Sequence, residues 1–183
     1  GVTITPRDPN TLHNFGPASP LDETVYTSER PGGDPEGDAR ISTVTVQDWI
    51  QFMKARGISA VLILLDDNEL ECYESPGLVK QYQDAGLTVH HTPLSEAGSS
   101  EKVRVILEAA DDGASGKKNE KVVAHCTHGM GRSGRVAAGW LTMKHGMTPE
   151  EATKAALETA RAHGMERMGN IPALKKWLGI RED

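Results

Sequence analysis

Cysteine, aromatic residues, long apolar runs and basic residues are all scarce in this 183-residue sequence, and each scarcity excludes something. Two cysteines, Cys72 and Cys126, are too few for the disulfide framework of a small secreted protein, so a reducing cytoplasm is the expected compartment. Aromatics make up 4% of the chain, so the core must be built from Leu, Val, Ile, Ala and Met. The same shortage leaves no obvious aromatic wall for a deep slot, so any cleft is expected to be shallow. No apolar run approaches the ~20 residues of a membrane-spanning helix, and no signal-peptide pattern opens the sequence; no membrane partner is expected. Acidic residues outnumber basic ones, 26 to 20, for a net charge of −6. That excludes the basic footprint of a nucleic-acid binder, although a local site can oppose the total.

What is present is a strand–helix alternation. Residues 1–40 are rich in Pro, Gly, Asp and Thr and read as an N-terminal extension, with a short edge strand within 24–32 and an exposed loop at 30–40. From residue 41 to 183 one domain is expected. A helix at 46–57 buries Trp49, Ile50 and Met53 and stops at Gly57. The continuous apolar run 58–65 reads as a buried strand. A loop (66–77), a helix (76–86), a strand (87–91), a loop (92–100), a helix to about Asp112, a polar connection (113–120) and a buried strand (121–126) follow. Helices are expected from Gly134 to His145, over 148–164, where Thr148, Pro149 and Glu151 form a start signal, and over about 172–179. The pattern predicts an α/β fold: a mainly parallel sheet of about five strands flanked by helices.

The stretch "AHCTHGMGRSGR" (124–135) fits two phosphate-binding patterns. Gly129, Gly131 and Gly134 match the dinucleotide G-x-G-x-x-G. That motif needs an acid about 20 residues on, at the end of the next strand. Glu150 and Glu151 stand there, but at a helix start, and no strand is expected after residue 126. Cys126 and Arg132 match C-x5-R, in which a tight turn between strand and helix binds an anion with main-chain N–H groups. Gly129 and Gly131 let the backbone bend and approach the oxygens, and Arg132 adds a planar fork for two of them. Helix N-termini and nearby cations also favour the thiolate form of a cysteine, so one arrangement would bind phosphate and activate Cys126.

The segment "HCTHGMGRSG" (125–134) resembles the HCxxGxxRS signature of the protein tyrosine and dual-specificity phosphatase superfamily. Upstream, "ELECYESPGLVKQYQDAGLTVHHTPLSEAG" (69–98) is similar to the kinase-associated phosphatase group, the cyclin-dependent kinase inhibitor 3 type. The resemblance spans about residues 57–178. It implies that Cys126 attacks phosphorus to form a cysteinyl-phosphate. Thr127, His128, Gly129, Met130, Gly131 and Arg132 would hold the phosphoryl oxygens. Ser133 would assist the departing thiolate, and His125 would orient the loop or simply be a hydrogen-bonded core histidine. The general acid of the family is an Asp on the preceding loop. Here Glu96 is aligned with it, which is a departure, and Asp66 and Asp67 are the reserves.

Hydrolysis of phosphoproteins follows as the expected activity, on phosphotyrosine and, through a shallow cleft, phosphoserine and phosphothreonine. The substrate that the resemblance suggests is a cyclin-dependent kinase. A phosphate-binding pseudophosphatase and a lipid or inositol phosphatase are the alternatives. No cofactor is expected. Zinc sites pair their ligands, and "HCTH" has no second pair, while His90 and His91 point to opposite faces of a regular strand. Cys72 reads as an inert thiol, its alternative being a reversible disulfide with Cys126.

Overall fold

The computed structural model describes residues 1–112 and 119–181; residues 113–118, most of the expected polar connection, lie outside the described residues. Three short strands precede the first helix: β1 (Val2–Ile4), β2 (Gly16–Pro17) and β3 (Val25–Glu29). The helix α1 (Thr43–Ala55) follows, then β4 (Ala60–Ile63), α2 (Leu78–Asp84), β5 (Thr88–His91) and α3 (Ser99–Asp112). The last part holds β6 (Val122–Cys126), α4 (Gly131–His145), α5 (Pro149–Ala162), β7 (Met168–Asn170) and α6 (Ile171–Leu178).

The central sheet has five strands in the order β2-β3-β6-β4-β5, and every pairing but β2–β3 is parallel. This is the expected architecture. The strand expected within 24–32 is not an edge, however. β3 lies between β2 and β6 and pairs with β6 in register from Val25–Val122 to Glu29–Cys126. Residues 1–40 therefore supply part of the sheet that carries the conspicuous cysteine. A strand also follows residue 126: β7 pairs antiparallel with β1 in a separate ribbon. With three residues and the sequence Met-Gly-Asn, β7 shows no period-2 pattern to read.

The period-2 geometry of strands sorts the core into two layers. From the β4 segment, Ala60, Leu62 and Leu64 join Val122, Ala124 and Cys126 of β6 under α3, α4 and α5. Val61, Ile63 and Leu65 face the other way with Val123, against Trp49 and Met53 of α1 and Tyr82 of α2. Cys126 and His125 thus belong to opposite faces.

Helix ends depart from expectation by a few residues, with visible causes. α1 begins at Thr43, three residues before the apolar periodicity, because the Ser42 side chain caps it by accepting the Thr45 N–H. α4 begins at Gly131, its first turn closed by Gly134 N–H on Met130 O (3.0 Å). The capping box of Thr148 and Glu151 is formed as expected.

Candidate active site

β6 ends at Cys126 and α4 opens at Gly131, so residues 127–130 make the turn between them. Its shape follows from where its carbonyls go. The Arg30 N–H donates to Thr127 O (3.3 Å). Asn14 Nδ2 donates to His128 O (3.1 Å) and Gly129 O (3.5 Å). The N–H groups of Gly134 and Met168 donate to Met130 O (3.0 and 3.2 Å). Four successive carbonyls are turned into the scaffold. Across a planar trans peptide the next N–H points the opposite way, so the amides of the turn face outward together. Among the described residues, those of His128, Gly129 and Met130 have no acceptor. Unpaired amides at a helix start make an anion site.

Gly129 has a reason to be glycine. Its φ is +74°, and a Cβ there would lie 2.6 Å from Ser28 C and 2.7 Å from Glu29 N of β3. Asn14, fully buried, also donates to Glu166 O (2.7 Å) and accepts the Glu166 N–H (2.8 Å). It ties the turn to the segment before β7. Nothing in its sequence context, a polar residue in a Pro- and Gly-rich stretch, marks it.

Cys126 is buried, and its Sγ accepts a hydrogen bond from Ser133 Oγ at 3.1 Å. Arg132 is the second residue of α4, and its fork is engaged by Glu69. Arg132 Nη1 and Nη2 donate to Glu69 Oε1 and Oε2 at 2.6 and 2.9 Å, and Nη2 also reaches Thr127 Oγ1 at 3.1 Å. Glu69 accepts in addition the Thr127 hydroxyl (3.0 Å) and the Asp66 N–H (2.9 Å). Its carboxyl is pulled down to about 2, chiefly by the Arg132 hydrogen bond, with burial opposing and the Asp66 N–H helping. Arg132 is raised by the same hydrogen bond, and the nearby Cys126, Glu69 and Asp66 charges add to it. Glu69 sits on a 3-10 turn, Asp67–Leu70, where only a loop was expected. Like Asn14, it is a site residue that sequence reasoning missed. The one signal was its place in the segment 69–98 that carries the family resemblance, which gave it no role.

His125 is fully buried, with Nε2 2.9 Å from Tyr82 Oη and Trp49 edge-on at 5.5 Å. Burial holds its pKa down to about 3, with Arg30 and Arg132 adding to that effect. It is neutral and lies behind the strand, away from the turn. His128 is exposed, with Nε2 3.5 Å from Asp34 Oδ2. The two histidines of "HCTH" therefore diverge, and the described residues contain no cluster of three metal-ligating groups.

Glu96 is exposed and ion-paired with Lys102 at 3.2 Å. No contact joins it to Cys126 or Arg132 among the described residues. Asp66 accepts the Ser95 hydroxyl at 2.7 Å and adds to the field at Arg132. Asp67 is almost fully exposed, 3.8 Å from His91 Nδ1. Cys72 and Cys126 are both free thiols; Cys72 Sγ lies 3.2 Å from Nη2 of the buried Arg30.

A strand ending in cysteine, an anion-binding turn and an arginine at the head of the next helix, set in a mainly parallel sheet, define the cysteine-phosphatase fold. Its solved relatives bear this out. The chain resembles kinase-associated phosphatase (KAP) with its catalytic-site cysteine replaced by serine at TM-score 0.62 and 21% identity, over 84% of this chain and 83% of that one. It resembles Tk-PTP in its active form at TM-score 0.53 and 26% identity, over 78% and 84%. Within this class the sequence is more particular. A family model described as cyclin-dependent kinase inhibitor 3 (CDKN3) matches residues 36–153, and the chain belongs to that family. The human cyclin-dependent kinase inhibitor 3 is 31% identical over 139 residues, 75% of this chain and 62% of its own length. The chain spans about half the length of the mouse and rat relatives it matches. No helix among the described residues is long and apolar enough to cross a membrane.

Proposed function

We propose that the chain hydrolyses phosphate monoesters on phosphoproteins through a cysteinyl-phosphate intermediate. The observation that carries this reading is the turn itself: its carbonyls are all drawn into the scaffold, its amides converge, and it lies between Cys126 and Arg132. The Cys126 thiolate attacks phosphorus in line as the P–O bond to the leaving group breaks. Thr127 to Gly131 supply N–H donors to the three equatorial oxygens, and Arg132 supplies a guanidinium. Water then cleaves the S–P bond, and the Ser133 hydroxyl, already hydrogen-bonded to Sγ, stabilises the thiolate as it leaves. His125 orients the strand end through Tyr82 and takes no proton. No cofactor enters this chemistry. A shallow cleft would admit phosphotyrosine, phosphoserine and phosphothreonine, and the family's name makes a cyclin-dependent kinase the first protein substrate to try.

Glu96, aligned with the family's acid, is assigned to protonate the leaving group, which requires it to leave Lys102. Asp66 is a second reading, favoured by its place at the site: its main-chain N–H donates to the Glu69 carboxylate that holds Arg132.

The test is hydrolysis of p-nitrophenyl phosphate and of phosphopeptides. Wild type is expected to turn over both and to form a covalent phosphoenzyme trapped by rapid quench in alkali, and Cys126→Ser neither. Binding of phosphate without release of nitrophenol would make the chain a pseudophosphatase instead. Glu96→Gln is expected to slow phosphoserine peptides at least tenfold more than p-nitrophenyl phosphate, whose leaving group needs little help. The same pattern in Asp66→Asn, and not in Glu96→Gln, moves the role to Asp66.

A further inference from the structure

Between α4, α6 and the loop 94–100 runs a groove of about 540 Å3, the size of a small-ligand site, which Arg135 of α4 links to the turn. Its floor is the buried Leu94 and its wall is Trp177. The wall is fixed: Trp177 Nε1 donates to Ser99 Oγ at 2.8 Å, and its ring packs so closely on Gly139 that a Cβ there would come within 2.6 Å of it. Two cations line the groove, Arg135 and Lys176.

Arg135 is the unusual one. It is partly buried, yet among the described residues its guanidinium has no carboxylate partner and no hydrogen bond. Burial lowers its pKa, Cys126 opposes that, and Arg132 adds to it, so it shares the electrostatic field of the site. A partly desolvated charge without a counter-ion is costly, and this chain has acids in excess to supply one. Lys176 is exposed on α6 and also makes no ion pair among the described residues. The groove's own acid, Glu96, is taken by Lys102. The groove is thus a basic patch on an acidic protein, complementary to an anion.

Arg132 and Arg135 are three apart on α4, and residues so spaced share a helix face with Cβ atoms ~5–6 Å apart. An extended peptide advances ~3.3 Å per residue, so a group one or two positions from the phosphorylated residue falls on Arg135. We propose that this groove is a specificity subsite for a second acidic side chain, a carboxylate or a second phosphate, carried by the same polypeptide within two residues of the phosphorylated one. Arg135 grips it through its planar fork, and Lys176 adds charge at the open side. The proposal rests on the phosphatase reading, since the phosphorylated residue is the one held at Cys126.

Two measurements keep the readings apart. Turnover of p-nitrophenyl phosphate by wild type tests the phosphatase reading alone. Fluorescence anisotropy of labelled phosphopeptides on Cys126→Ser tests the groove, with or without turnover. The peptides carry one phosphoresidue with Asp, phosphoserine or Asn one or two positions away on either side. The acidic peptides are expected to bind about tenfold more tightly than their Asn counterparts, the effect of one charge-assisted contact. Adding Arg135→Gln to Cys126→Ser should bring that ratio near one, Arg135→Lys should keep part of it, and Lys176→Gln should reduce it two- to threefold. Because each ratio compares two peptides on one variant, a general loss of binding cancels. Equal affinity for acidic and Asn peptides, or a ratio unchanged by Arg135→Gln, overturns the subsite. Arg135-dependent binding of an inositol polyphosphate tighter than any phosphopeptide overturns the polypeptide as its occupant.

Discussion

At the scale of the residue, the best-determined interaction of the site is the fork between Glu69 and Arg132. Its pH behaviour follows from the direction of the Glu69 shift, from 4.5 to about 2. A carboxylate depressed in the folded state contributes stability that is complete above its unfolded value and is lost as pH falls through the folded one. Glu69→Gln should therefore lower stability at pH 7 by about 1 kcal/mol at most, since the pair is partly open to solvent. The gap from wild type, read as a urea midpoint, should narrow at pH 3.5. His125 has its own acid sensitivity, because its folded value near 3 lies below 6.5. The stability it contributes is present above 6.5 and falls away toward 3. Comparing both proteins at the same pH cancels that part. A gap that stays constant from pH 7 to 3.5 would show that the carboxylate charge on Glu69 does not hold the fork. Cys126, Arg132 and Ser133 were legible in the sequence because their chemistry is tied to fixed spacing. Glu69 and Asn14 were not, because they reach the turn from 57 and 112 residues away from Cys126 in the chain, and no local pattern records such a contact.

At the scale of the element, the turn depends on main chain meeting main chain. Gly129 rests against Ser28 and Glu29 of β3, and Gly134 rests against Met168, where a Cβ would lie 2.6 Å from the Met168 oxygen. Neither neighbour is a flexible side chain that can move aside. Gly129→Ala has to accept both a left-handed backbone and this collision, and is expected to lose about 2 kcal/mol or more. Its turnover of p-nitrophenyl phosphate should fall at least a hundredfold even below its melting temperature, since the amides it carries are displaced. Near-normal activity in a folded Gly129→Ala protein would show that the turn is not held by β3. The long apolar and capped elements were readable to within a few residues. β2 and β7, two and three residues long, were not, since so short a strand is defined by its partner rather than by its own pattern.

At the scale of the whole molecule, the family match and the folded unit do not coincide. Residues 36–153 contain Cys126 and Arg132 but omit β3, Asn14, β7 and α6. Without β3 the strand β6 keeps β4 but loses the second of its two parallel neighbours, the one paired along its whole length. The buried guanidinium of Arg167 lies outside the match together with all three groups it donates to, Ala156 O, Pro17 O and Thr27 Oγ1, so a whole tie between the sheet and α5 is missing. A fragment cut to residues 36–153 is expected to show no cooperative thermal transition by circular dichroism, while residues 1–181 unfold in one step. A sharp transition in the fragment would mean that the sheet closes on four helices and three strands alone.

The grip of Asn14 on His128 and Gly129 has a practical corollary. A protease nick or a bulky fusion placed ahead of β3 could silence this protein while leaving its entire signature unaltered. Mass spectrometry across residues 124–135 would then report an intact polypeptide, and an assay would report a dead one.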